Sequence, residues 1–171
     1  MINHPTPMHD AINAGDVGSI RSLLNGGFDP HAVDARGQTA LHLAVTTFNI
    51  SLVRAVLAAG ADVDAQTYDQ GTALHVAAVN GADDIVKLLI EAGADLNVKR
   101  CGYTALHHAV GARHVAAAQL LILAGADPDE RSTDSAAVTA MWAAQQSGLH
   151  GLVEVMLAAR LAGNACSARR N

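Results

Sequence analysis

The chain has 171 residues, 50% of them hydrophobic but only 3% aromatic, so its core must be built from Ala, Leu, Val and Ile. A formal net charge of −5 and a pI near 5.9 leave no basic footprint for nucleic acid. Two cysteines, Cys101 and Cys166, make neither a disulfide framework nor a CxxC metal pair, and a reducing compartment is expected.

The chain opens on Met1-Ile2-Asn3-His4-Pro5, without a charged leader or an apolar run, and no 18-residue apolar stretch follows anywhere. A soluble, cytoplasmic protein with no membrane partner is expected. Thr6-Pro7-Met8-His9-Asp10-Ala11 comes next, with Thr6 as helix N-cap and Pro7 at the first helical position, where its missing N–H costs nothing. The hexapeptide returns as Thr39-Ala40-Leu41-His42-Leu43-Ala44, Thr72-Ala73-Leu74-His75-Val76-Ala77 and Thr104-Ala105-Leu106-His107-His108-Ala109. A divergent fifth copy is Thr139-Ala140-Met141-Trp142-Ala143-Ala144. The threonines stand at 6, 39, 72, 104 and 139, a spacing of 32 to 35 residues. A fixed period in this range marks a stacked array in which each unit buries its apolar face against its neighbours.

Within the third copy, Thr72 caps a short helix whose apolar side is Leu74, Ala77 and Ala78, and Gly81 ends it. A second helix follows over 85–91, with Lys87 and Glu91 four apart on one exposed face. Ala92-Gly93-Ala94-Asp95 stops it, as Ala59-Gly60-Ala61-Asp62 and Ala124-Gly125-Ala126-Asp127 stop their own copies. The eight to eleven mostly polar residues before the next threonine leave room for a hairpin but not for another helix.

Motif, period and stop signal together resemble the ankyrin repeat family over roughly residues 5–162. The resemblance implies an all-α repeat solenoid of stacked helix-loop-helix units with short β-hairpin fingers, about five repeats including two caps. The expected boundaries are 2–33, 34–66, 67–98, 99–130 and 131–162, with a C-terminal tail over 163–171. In such an array the first helices line a palm beside the fingers and the second helices form the back.

The end copies depart from the pattern. Asp10, Asn13, Ser19, Arg21, Ser22 and Asn25 make the first copy a solvated cap. The fifth replaces the signature histidine with Trp142 and its glycine stop with Arg160-Leu161-Ala162. Its apolar Leu149, Leu152 and Met156 are expected to be covered by a fold-back of 161–165, with Trp142 filling the cap. Phe48 and Arg113 replace linking glycines, and shifting the strained position from Phe48 to Asn49 would avoid the cost of positive φ. The fifth finger, 129–138, is long and lacks glycine, so it is expected to be the most irregular.

The residues argue against catalysis. His9, His42, His75 and His107 recur once per repeat on helices about 8–10 Å apart, too far to share a zinc held at about 2 Å. Each imidazole is instead expected to tie a helix start to an adjacent turn. In the His107, His108 and His114 cluster, adjacent helical residues point in different directions. Asp83-Asp84 opens a helix, where acids favour the positive end. Cys101 beside Arg100 has no general base near it in sequence. No phosphate loop, dinucleotide fingerprint or HExxH motif is present. No enzyme, metal site or cofactor is expected.

The resemblance implies that a protein partner binds at finger tips and on the exposed side of the first helices. Those positions are Arg36, Gln38, Tyr68, Asp69, Gln70, Arg100 and Tyr103 on the fingers. On the palm they are Thr46, Thr47, Asn80, His108 and Gln146, with Val79 and Trp142 beside them. Tyr68, Arg100 and Tyr103 are hot-spot residue types on adjacent fingers. The expected function is a monomeric, non-catalytic interaction module: an adaptor, inhibitor or neutralising partner. The alternatives are self-association through the apolar fifth copy and an effector delivered to host proteins. Ala- and Gly-rich composition is compatible with a bacterial source.

Overall fold

The structure, a computed structural model, describes residues 7–27 and 29–167. The expected cap at Thr6 lies outside them, as do the side chains of His9, Asn13, Arg21 and Asn25. Five helix pairs follow in chain order: α1 (Pro7–Asn13) with α2 (Val17–Asn25), α3 (Ala40–Thr46) with α4 (Ile50–Ala58), and α5 (Ala73–Asn80) with α6 (Asp83–Glu91). Then come α7 (Ala105–Gly111) with α8 (Val115–Leu123), and α9 (Ala140–Gln146) with α10 (His150–Ser167). First helices pack on first helices along one row, α1 to α9. Second helices pack along the other, α2 to α10.

The periodicity of the sequence is the periodicity of the core. Met8, Leu41, Leu74 and Leu106 occupy one equivalent site and are at most 1% exposed. Val56, Leu89, Leu121 and Met156 form the matching row in the second helices, all 0% exposed. Ala44, Ala77, Ala109 and Ala144 sit between the rows, where a larger side chain would push neighbouring helices apart. Each fully buried aliphatic residue contributes about 1.5–3 kcal/mol by leaving water.

The threonine and histidine of the motif fasten one repeat to the next. Thr39, Thr72 and Thr104 each form a reciprocal capping box with the histidine three residues on. The threonine backbone N–H donates to His Nδ1 at 3.2–3.3 Å. Nδ1 is therefore the acceptor and Nε2 carries the proton. Nε2 of His42, His75 and His107 donates to Gly71 O, Tyr103 O and Val138 O, each on the following finger. Thr139 caps α9 alone, accepting from Trp142 N–H at 3.0 Å.

Three details correct the sequence reading. Phe48 keeps the left-handed conformation at φ 57, in register with Gly15, Gly81, Arg113 and Gly148 at φ 64–69. Asn49 cannot take the strain because it caps α4 at φ −95, its side chain accepting from the N–H of Ser51 and of Leu52. Residues 161–165 do not fold back: α10 continues to Ser167, five residues beyond the expected end of the array, and Leu161 is 71% exposed. Arg160 stands where other copies have a stop glycine and pairs with Asp129 at 3.2 Å, so the helix is not stopped at that position. Trp142 does not fill the cap; it is 50% exposed.

Candidate protein-binding surface

Each finger is a tight turn rather than a ladder. Val33 with Thr39, Arg100 with Tyr103 and Arg131 with Thr139 form isolated antiparallel bridges, and no strand occurs among the described residues. Gln70 and Cys101 turn their fingers at φ 63 and 50, positions glycine usually takes. The longer fifth finger turns at Ala137, φ 45, and is braced by Ser132 Oγ donating to Asp134 at 2.5 Å.

Neighbouring fingers are joined one repeat apart. Tyr68 N–H donates to Arg36 O at 3.2 Å, and Thr133 N–H donates to Gly102 O at 3.0 Å. Between the middle fingers a side-chain pair does the equivalent work: Arg100 donates twice to Asp69 Oδ2, at 2.9 and 2.5 Å. Hydrogen bonds from Thr67 and then Arg100 hold the Asp69 carboxyl at a pKa of about 2. Tyr103 Oη donates to Asp134 at 2.5 Å, which raises the phenol pKa. Ser132 first and then Tyr103 lower that of Asp134. Lys99 reaches Glu130 at 2.5 Å and Arg131 O at 2.8 Å.

The expected partner residues fall into two groups and a remainder. Arg36, Gln38, Tyr68, Asp69 and Arg100 share a groove of about 340 Å³ with Val76 of α5, joining fingers to palm. Tyr68 is 72% exposed, and its ring lies over Gly37, where any Cβ would collide with Cδ1. Tyr103 and His108 line a second groove of about 460 Å³ with Val79, Gly111 and Ala112. Thr46, Thr47, Asn80 and Gln146 line neither of these grooves, and Gln70 shapes a turn. Thr46 and Thr47 hydroxyls donate back to Leu43 O and Ala44 O, and Asn80 Nδ2 to Val76 O, all within their own helices.

Burial disfavours the charged form of the histidines behind this surface. Burial drives the His75 pKa down to about 4, helped by the His108 ring 5.5 Å away. His42, His107 and His108 are lowered as well, in each case first by burial. The ring nitrogens of His42, His75 and His107 serve helix caps and fingers, and no metal-holding group of three or more His, Cys, Asp or Glu occurs among the described residues.

Sequence reasoning missed Gly111 and Ala112 as palm residues, and Asp134 and Glu130 as partners of Tyr103 and Lys99. The available signal was their offset of one repeat, 31 residues in both pairs.

Paired helices stacked in two rows, with turns projecting from one edge, define a helical repeat array that presents an extended surface instead of an enclosed site. A family model of ankyrin repeats (3 copies) matches residues 8–100 and, overlapping, 52–132. The chain belongs to the ankyrin repeat family, whose members are generally protein–protein interaction modules and typically non-catalytic. No curated protein matches it significantly. Among the described residues no helix is long and apolar enough to cross a membrane.

Proposed function

We propose that this protein is a non-catalytic interaction module that grips a folded protein partner between its finger tips and the exposed side of its first helices. The observation that carries this reading is Tyr68. It is a large aromatic ring, 72% exposed, lying over Gly37 and lining the groove that joins fingers to palm. Tyr and Arg dominate interface energetics. Arg100 and Tyr103 sit on the next finger, held in place by Asp69 and Asp134. Tyr68 is the anchor, while Arg100 and Tyr103 contribute as pre-positioned walls.

The module acts as a cytoplasmic monomer, as an adaptor, inhibitor or neutralising partner. Alanine at Tyr68, Arg100 and Tyr103 together tests the site by titration calorimetry against the captured partner. Unchanged affinity in a triple variant of native helicity would sink the assignment. A second reading, self-association through the fifth repeat, draws on Trp142, Leu157 and Leu161, which are 50%, 43% and 71% exposed. Light scattering that gives a concentration-independent monomer mass would dispose of it.

A further inference from the structure

We infer that the surface seated on the palm is an uncharged, apolar ridge of a folded protein, with one aliphatic side chain entering the groove over Gly111. This rests on the interaction reading above and adds the chemistry of the partner.

The palm has no charge of its own. Helices α3, α5, α7 and α9 total 29 residues without one Asp, Glu, Lys or Arg, where the chain-wide 16% would place about five. Burial does not account for this, because Thr46, Val79, Asn80, Gly111, Trp142 and Gln146 are exposed and none is charged. In the second row α4, α6 and α10 do carry charges, among them Arg54, Lys87 and Glu154. Depletion of charge with retention of aromatic residues is the mark of an interface centre.

Two of the flanking charges are neutralised within the array. Arg100 is paired with Asp69 and Lys99 with Glu130, and at the far end of α7 Arg113 donates to Ser147 O at 2.9 Å. Asp10 on α1 is the acidic residue of the first row, at the opposite end of the array.

The groove has the shape and chemistry for an aliphatic group. Val79, 37% exposed, lines it together with Tyr103 and His108, whose rings meet edge to face at 6.1 Å. Gly111 forms an opening, since a Cβ built there meets nothing within 4 Å. His108 brings no charge: burial and the nearby Arg100 lower its pKa, and its buried Nε2 makes no hydrogen bond. A carboxylate or ammonium group entering this groove would lose water without gaining a counter-charge.

The probe is a display library on a small three-helix scaffold with one randomised helix face, selected on the intact protein. Wild type is compared with Gly111→Leu, Val79→Lys, Val79→Glu and the Tyr68/Arg100/Tyr103 alanine variant. Gly111 closes α7 with open space around it, and Val79 is partly exposed, so these variants are expected to fold. Retained clones should carry aliphatic or aromatic faces, with Kd changing less than about threefold between about 50 and 500 mM salt. Gly111→Leu and both Val79 variants should each weaken binding at least about tenfold, whichever sign of charge is introduced. Charged clones, strong salt dependence, or tighter binding by either Val79 variant overturns the inference. Clones lost only from the finger variant overturn it too but leave the interaction reading standing. A library yielding no clone overturns both.

Discussion

Mild acid should loosen this array before its carboxylates titrate, and the histidine ladder sets the size of the effect. His75 is 1% exposed, accepts the Thr72 N–H at Nδ1 and donates from Nε2 to Tyr103 O. A proton added at Nδ1 would turn acceptor into donor against that N–H, breaking the α5 cap. The folded state therefore holds His75 neutral down to a pKa of about 4, against 6.5 in the unfolded chain. Between these values the unfolded state binds more protons, so stability present above about pH 6.5 is lost as pH falls toward 4. At about 1.4 kcal/mol per pKa unit the loss from His75 alone is about 3 kcal/mol. His42 and His107 are displaced in the same direction and add to it. Carboxylates with unfolded pKa values near 4 contribute little until lower pH. Urea unfolding followed by far-UV circular dichroism and Trp142 fluorescence, from about pH 7.5 to 4.5, measures the slope. His75→Gln, polar but not titratable, should flatten that slope by up to one proton. A midpoint independent of pH over this range, or one rising in acid, would refute the ladder.

Other expectations follow from packing and backbone. Leu106→Ala, at a site 0% exposed, should destabilise by about 2–5 kcal/mol in urea unfolding, whereas Leu123→Ala, at 78% exposure, should change stability by less than about 0.5 kcal/mol. Phe48→Gly should stabilise by about 1 kcal/mol or less, because it relieves φ 57 at a side chain 59% exposed; a lower urea midpoint would contradict this. Gly81→Ala should destabilise, since a Cβ there runs into the His114 ring as well as straining φ 64, and a raised melting temperature would contradict it.

The fold was legible because each repeat writes the same physical solution again. Thr72 and His75 show their cap through type and spacing, and the neighbouring copies fix the period that stacks them. The fingers were less legible. Asp69 and Arg100, or Tyr103 and Asp134, are remote in sequence and meet only when repeats stack in register, so the side chains that brace Arg100 and Tyr103 were not identified from the sequence. At Phe48 a local rule about positive φ lost to the cap made by Asn49, whose side chain accepts from the N–H of Ser51 and of Leu52. The fold-back expected at 161–165 did not form: Arg160 holds the position of the stop glycine, and α10 runs on through Gly163 to Ser167. Trp142 illustrates the same limit, since an indole at a signature position reads alike as filler or as surface.

The most direct test of the central claim is quantitative capture from source cells, comparing wild type with the Tyr68/Arg100/Tyr103 alanine variant at matched helicity. A protein retained by wild type and depleted at least about tenfold from the variant is the predicted result. Identical retention by both, or none by either, would contradict a partner held at the finger surface.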